Sequence, residues 1–112
     1  MLIESGRTTS VQYISNTLPI PANKPDIAVA TAMAGEMLGM KAIYLEAGSG
    51  ALSPVPAEII KAVKKNISVP LIVGGGIKTK LQFETIKKAS PDIIVIGNSV
   101  ENDPNSLVKL LQ

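Results

Sequence analysis

The sequence contains no cysteine, no histidine and no tryptophan, and aromatic residues make up only 3% of its 112 residues. Without cysteine there is no disulfide framework and no thiolate chemistry. Without histidine, any acid–base work falls to Asp, Glu, Lys or Tyr. The scarcity of aromatic side chains argues against single-stranded nucleic-acid binding, which relies on rings that stack against bases. The core is therefore expected to be aliphatic.

Long apolar runs and a strong excess of one charge are also missing. No run approaches the roughly 18 residues of a membrane span and we find no signal peptide, so a cytoplasmic protein is expected. Eleven basic and nine acidic residues leave a net charge of +2, which is compatible with a phosphate ligand but does not point to nucleic acid. With 46% hydrophobic residues, the chain has enough apolar side chains for the core of one small domain.

Four short apolar runs recur along the chain, and each is nearly continuous in Ile, Val and Leu. Continuous runs of this kind are typical of parallel strands that are buried on both faces. We predict strands near residues 1–5, 42–47, 70–74 and 92–97. They should lie in sequential order in one parallel sheet, with helices on one face.

A helical segment follows each predicted strand. The expected helices cover about residues 25–38 and 56–66, and two more begin near residues 79 and 103. Asn23 is the predicted cap of the first helix, and Thr79 with Gln82 has the spacing of a capping box at the start of the third. The apolar face of the first helix is predicted to contain Ile27, Ala30, Ala34, Met37 and Leu38, and that of the third Leu81, Ile86 and Ala89.

This alternation of strands and helices predicts an α/β fold, for which two architectures compete. One is a doubly wound sheet with helices on both faces, and the other is a (β/α)8 barrel, which needs eight strands and roughly 200 residues or more. Four units are half of a barrel, and the first residue already lies in a strand-like run. We therefore expect the (βα)4 half of a TIM (β/α)8 barrel, as a single C-terminal half-barrel domain over residues 1–112 that lacks four preceding units.

Half a barrel would expose an apolar inner sheet face and two sheet edges. We therefore expect this chain to require a partner. The partner would be a complementary N-terminal half-barrel chain, or the chain would associate with itself.

Glycines follow three of the predicted strands, in YLEAGSG (44–50), VGGGI (73–77) and VIGNS (95–99). In parallel α/β folds the carboxyl edge of the sheet carries the site. Glycine there permits positive φ and lets backbone N–H groups approach an anion closely. Two interpretations remain open: a phosphate cradle, or glycines that serve only tight turns and close packing.

Tyr44 and Glu46 are two residues apart on a predicted strand, so their side chains project to the same face. A buried carboxylate must find donors, and a substrate hydroxyl is one such donor. Ser49 and the N–H groups of Gly48 and Gly50 could meet a phosphate. The alternative is that Glu46 pairs with a lysine and that the two glycines only turn the chain.

Several motifs in order carry a family resemblance: YLEAGSGA (44–51), PVP (54–56), PLIVGGGI (70–77), and IGN (96–98) with Glu101. Together they resemble the geranylgeranylglyceryl phosphate synthases among the glycerol-1-phosphate prenyltransferases, and YLEAGSGA looks like the archaeal-type subgroup. The resemblance implies a (β/α)8 barrel that transfers a geranylgeranyl-type group from a prenyl diphosphate to the 3-hydroxyl of sn-glycerol 1-phosphate, in ether phospholipid biosynthesis.

The same resemblance assigns site residues. Glycerol phosphate would be held by Tyr44, Leu45, Glu46, Ala47, Gly48, Ser49 and Gly50, and its phosphate by Gly75, Gly76, Gly97 and Asn98. Glu46, with Tyr44 as the second candidate catalytic residue, would contact the hydroxyls and help activate the attacking one.

Magnesium is the cofactor that the resemblance implies. The family's metal ligands lie in the first half of the barrel, so no Mg²⁺ ligand is expected in these residues. Asp26, Asp92 and Asp103 are expected at helix or loop starts and are not candidates.

Three functional interpretations follow. In the first, the chain is the glycerol-phosphate-binding half of a prenyltransferase that is inactive without the rest of the barrel. Alternatively, it is a non-catalytic phosphate-binding half-barrel. The third interpretation is a different phosphate-binding TIM-barrel enzyme with similar GGGI and IGN loops.

Overall fold

Strands and helices alternate in the structure, a computed structural model that describes residues 1–112. The three strands are β1 (Ile43–Glu46), β2 (Leu71–Gly74) and β3 (Ile93–Val95). The six helices are α1 (Ser10–Ser15), α2 (Pro25–Met37), α3 (Ala57–Asn66), α4 (Lys80–Lys88), α5 (Asn98–Asn102) and α6 (Asn105–Leu111). The strands pair in parallel in the order β1-β2-β3. The predicted α/β class, with sequential parallel strands, is confirmed.

The first predicted strand is much shorter than expected. Residues 1–5 contribute only two isolated parallel bridges, from Leu2 to Glu46 and from Ile3 to Ile20. The bridge to Ile20 was not predicted. Prolines on both sides, at positions 19 and 21, hold this residue in extended backbone, which allows it to pair at the outer edge.

The two faces of the sheet differ in burial. Ile43, Leu45, Leu71 and Val73 are buried in the core, whereas their neighbours along the strands are less covered. Ile93 and Val95 are 50% and 40% exposed. Because side chains alternate along a strand, the helices cover one face and leave the other open. The prediction of a half-barrel with helices on one face is confirmed.

The predicted starts of α3 and α4 agree with the structure, and the predicted cap of α2 does not. Thr79 Oγ1 accepts a hydrogen bond from the N–H of Gln82, and Gln82 Oε1 accepts one from the N–H of Thr79, so the predicted capping box is present. α3 begins one residue after the predicted Pro56. The predicted Asn23 cap is wrong, because α2 begins at Pro25 after Lys24 and has no side-chain cap.

The predicted apolar faces of two helices are wrong in part. In α2 the buried residues are Ala28 and Ala32, whereas Ile27 and Met37 are exposed. In α4, Phe83 and Ile86 are buried and Leu81 is 79% exposed. The small side chains of α2 allow it to lie close to its neighbours, α3 and β1.

Asp92, the residue before β3, is hydrogen-bonded to the start of β2. Its Oδ2 accepts hydrogen bonds from the N–H of Leu71 at 2.7 Å and from Lys64 Nζ at 2.5 Å. The Leu71 N–H and, after it, the Lys64 ammonium lower the pKa of Asp92.

None of the helices has both the length and the apolar character needed to cross a membrane.

Candidate functional site

Tyr44 and Glu46 lie on the open face of the sheet, near the carboxyl end of β1. Both are half-buried, and they alternate with the fully buried Leu45 and Ala47. Glu46 Oε1 accepts a hydrogen bond of 2.7 Å from the N–H of Gly48. This bond holds the carboxylate over the start of the following loop, where it lines a cleft.

Two glycines of β2 and its loop make room for these side chains. A Cβ on Gly74 would collide with the Tyr44 hydroxyl, and one on Gly75 would lie 2.6 Å from Glu46 Oε1. Real Cβ contacts are not this short, so any larger residue at either position would displace a polar group of the site. Gly74 and Gly75 are therefore needed for the observed positions of Tyr44 and Glu46, whether or not a ligand is bound.

The environment of Tyr44 disfavours ionisation of its hydroxyl. Burial, and after it the neighbouring Glu46 carboxylate, raises the pKa of Tyr44 well above its ordinary value near 10. A phenol with a raised pKa remains a hydrogen-bond donor at neutral pH. Tyr44 is therefore suited to orient a carboxylate or a ligand oxygen, and not to accept a proton.

A small cleft of about 40 Å³ separates the loops that follow the three strands. Its polar and glycine lining comprises Gly50, Gly75, Gly76, Lys78, Gly97, Asn98 and Ser99. The N–H groups of Gly75, Gly76 and Gly97 donate no hydrogen bond within the protein. Three uncommitted N–H groups around one cleft are the donors that an anion requires.

The capping box occupies three N–H groups at the start of α4. Gln82 Oε1 already accepts from the N–H groups of Lys78 and Thr79, and Thr79 Oγ1 accepts from that of Gln82. The N–H groups of Lys78, Thr79 and Gln82 are therefore not free to bind an anion.

A second cleft, of about 220 Å³, adjoins the first. It shares Gly75, Val95, Gly97 and Asn98 with the glycine cleft and adds Val11, Tyr44, Glu46, Ser49 and Glu101. Ser49 Oγ donates a 3.0 Å hydrogen bond to Asn98 Oδ1, which joins the loops after β1 and β3. Two hydroxyls, two carboxylates and an amide thus lie beside the uncommitted N–H groups.

The candidate residues fall into three groups. Those lining the two clefts are Tyr44, Glu46, Ser49, Gly50, Gly75, Gly76, Gly97 and Asn98. Leu45 and Ala47 lie in the core with no exposed surface, because they alternate with the site residues along the chain. Gly48 uses its N–H to fix Glu46, so this donor is already committed within the protein.

Other residues of the site were not predicted. Lys78 lines the glycine cleft and Val11 the larger one. Arg7 and Thr9 lie against Gly50 and Gly48. One signal was available for them, since residues 6–9 follow the first predicted strand and so belong to the same edge of the sheet.

The chain contains no group of three or more carboxylate side chains that could hold a metal ion. Glu46 and Glu101 line the same cleft, but Glu46 Oε1 is bonded to the Gly48 N–H. Asp92 is bonded to Leu71 and Lys64, and Asp103 lies 3.7 Å from Lys109. These residues do not fit a Mg²⁺ site.

Comparison with known proteins identifies the family. The model of the PcrB family matches residues 1–112. The chain belongs to the PcrB family. Curated relatives include the geranylgeranylglyceryl phosphate synthase of Spirosoma linguale, 53% identical over 110 residues, and that of Thermococcus gammatolerans, 54% identical over 101 residues. The matches cover 98% and 90% of this chain, but only 44% and 39% of those proteins.

Solved structures of geranylgeranylglyceryl phosphate synthases agree with the fold. The (S)-3-O-geranylgeranylglyceryl phosphate synthase from Thermoplasma acidophilum, in complex with its substrate sn-glycerol-1-phosphate, matches with a TM-score of 0.87 and 31% identity. The match covers 97% of this chain and 43% of that structure. This chain thus corresponds to less than half of a TIM-barrel protein of the PcrB family, and the recognition based on its motifs is confirmed.

Proposed function

We propose that this chain forms the sn-glycerol 1-phosphate site of a geranylgeranylglyceryl phosphate synthase-like prenyltransferase. The proposal rests on the small glycine cleft and the larger cleft that adjoins it. One offers the uncommitted N–H groups of Gly75, Gly76 and Gly97, and the other offers Tyr44, Glu46 and Ser49. A small molecule with a phosphate at one end and hydroxyls at the other fits this division of donors and acceptors.

The proposed reaction joins an alcohol to an allylic carbon. The 3-hydroxyl oxygen of sn-glycerol 1-phosphate forms the new ether bond to the first carbon of the prenyl chain. The bond from that carbon to the diphosphate breaks, and diphosphate leaves with the bonding electrons. The hydroxyl proton must be removed, and we assign its removal to Glu46, which lines the cleft together with Tyr44 and Ser49.

The fixed position of Glu46 is as important as its charge. The Gly48 N–H holds one carboxylate oxygen, which limits rotation of the Glu46 side chain. Orientation of reacting groups lowers a barrier by several kcal/mol, up to about 7–11 kcal/mol in favourable cases. Tyr44, which stays protonated, would keep Glu46 and the hydroxyl in line by donating a hydrogen bond.

The proposed reaction also requires magnesium and a prenyl diphosphate, whose binding residues would lie outside this chain. A divalent cation at such a site neutralises charge on a departing diphosphate. Its ligands, with much of the prenyl cavity, would come from a complementary half-barrel that completes the relatives' length. The place of this chain in the archaeal-type subgroup and in ether phospholipid synthesis also remains a prediction.

The test is prenyl transfer with Mg²⁺, geranylgeranyl diphosphate and sn-glycerol 1-phosphate. We expect no activity from these 112 residues alone and activity once a polypeptide with the first four βα units is added. Glycerol phosphate binding without transfer in the completed barrel would favour a non-catalytic phosphate-binding protein. Absence of glycerol phosphate binding there would exclude the proposed substrate.

A further inference from the structure

The segment before α1 lies directly on the loop after β1. A Cβ on Gly48 would lie 2.5–2.6 Å from the side chain of Thr9, and one on Gly50 would lie 2.8 Å from Arg7 Nη2. Both glycines have positive φ, +96° and +71°. Gly48 and Gly50 therefore permit the approach of Thr9 and Arg7, a role beyond that of turning the chain.

Thr9 anchors this segment. It is only 4% exposed, and its Oγ1 caps α1 by accepting a hydrogen bond from the N–H of Gln12. Its side chain packs against Gly48, which in turn holds Glu46. Arg7 is two residues away from this anchor, so its backbone is positioned while its long side chain remains exposed at the edge of the site.

The positive charge of Arg7 is not neutralised within the chain. The two ion pairs of the structure are Lys64–Asp92 and Lys109–Asp103. The carboxylate nearest in sequence, Glu4, shares a polar surface cleft with Arg7, but its Oε2 accepts from the N–H of Ala22 at 3.2 Å. The guanidinium end of Arg7 instead lies against Gly50, which lines the glycine cleft.

We propose that Arg7 is an anion-binding residue of this site, which binds phosphate oxygens from the Gly50 side of the cleft. The inference rests on the proposed function and extends it. The N–H groups of the cleft carry no net charge, and Lys78 supplies one cation to a phosphate that carries close to two negative charges. A guanidinium adds a second cation and two parallel N–H donors, the geometry that phosphate prefers.

Two sources of phosphate oxygen share this chemistry, the phosphate of the acceptor and the diphosphate of the donor. The position of Gly50 in the small cleft favours the phosphate monoester. Inorganic phosphate, sn-glycerol 1-phosphate and pyrophosphate, titrated separately into the intact protein by calorimetry, distinguish the two sources.

Arg7→Gln is expected to weaken binding of phosphate and of sn-glycerol 1-phosphate about tenfold or more and to leave pyrophosphate binding unchanged. Arg7→Lys should recover part of the affinity, because it keeps the charge and loses the fork. Lys61→Gln on α3 removes an equally exposed cation away from the clefts and should change nothing. Because Arg7 is exposed, the variants should keep the wild-type melting temperature.

The outcomes separate this inference from the proposed function. Weakened binding of pyrophosphate alone would support the anion-binding role and assign Arg7 to the donor diphosphate. Unchanged binding of all three anions in Arg7→Gln would overturn the role of Arg7 and leave the proposed function standing. A wild-type protein that binds none of the three would overturn both.

Discussion

The Glu46 carboxylate accepts a hydrogen bond of 2.7 Å from the N–H of Gly48, two residues further along the chain. A carboxylate at a strand end is thereby held by the backbone of the loop that follows it. The same Oε1 lies so close to Gly75 that no side chain could be added there. The loops after β1 and β2 thus meet at one oxygen atom of Glu46.

Glu46→Gln separates the charge of this residue from its shape. The amide oxygen can still accept from the Gly48 N–H, so the fold and glycerol phosphate binding should be largely retained. Removal of the proton acceptor should lower the rate of prenyl transfer by about 10²-fold or more in the completed barrel. Glu58→Gln, an exposed carboxylate on α3, is the matched control. Full transfer activity in Glu46→Gln would show that Glu46 does not accept the proton.

Gly97→Ala tests the glycine cleft without disturbing the fold. A Cβ at Gly97 would meet no atom within 4 Å, and the φ of this residue is −110°. The added methyl group should therefore leave the melting temperature unchanged while it hinders the approach of phosphate to the N–H. We expect a loss of about tenfold or more in phosphate affinity, comparable to the loss of one hydrogen bond to a charged group.

Gly76→Ala is the structural counterpart of that variant. Its φ is +72°, and a Cβ there would lie 2.6 Å from the carbonyl oxygen of Ser53. We expect it to lose stability, by at least the roughly 1–2 kcal/mol that a left-handed conformation costs a residue with a Cβ.

If Gly97→Ala bound phosphate as tightly as wild type, the N–H of Gly97 would not belong to the anion site.

Tyr44→Phe should change how stability depends on pH. The pKa of Tyr44 is raised in the folded protein, so the unfolded chain releases this proton first, near pH 10. The folded state is therefore favoured fully below about pH 10 and progressively less as the pH rises above it. Denaturant unfolding at about pH 8 and about pH 11 should show a smaller alkaline loss in Tyr44→Phe than in wild type.

Tyr13→Phe is the control for this measurement, since Tyr13 is 79% exposed. It should show the same alkaline loss as wild type. An equal loss in all three proteins would mean that Tyr44 is not buried as described.

The open face of the sheet predicts association of the isolated chain. Tyr44, Ile72, Ile93 and Val95 lie on this face, and Ile93 and Val95 are 50% and 40% exposed. Covering apolar surface is favourable by about 25 cal/mol per Å². Sedimentation should show self-association at micromolar concentration, and Ile93→Ser should weaken it. A stable wild-type monomer would contradict this prediction.

Local sequence signals predicted the parts of the fold that depend on local chemistry. The apolar runs of β1, β2 and β3 each lie within a predicted strand, and Thr79 with Gln82 forms the predicted capping box. The glycine-rich loops meet at one edge because carboxyl ends of parallel strands do so in any α/β sheet.

The rest depended on contacts that a linear pattern does not contain. In α2 nearly every position is apolar or small, so periodicity does not indicate which face is buried. To predict the pairing of Ile3 with Ile20, one would have to know that the segment extended by the two flanking prolines lies beside residue 3 in the fold. The contacts of Gly48 with Thr9 and of Gly50 with Arg7 join residues about 40 positions apart, and so their packing role was not visible from the motif itself.

A structure of the intact protein with bound sn-glycerol 1-phosphate is the most direct test of the proposed site. We expect the phosphate in the cleft between Gly76 and Gly97, within hydrogen-bonding distance of their N–H groups, and the glycerol hydroxyls directed toward Glu46. A phosphate bound elsewhere, or a glycerol directed away from Glu46, would contradict it.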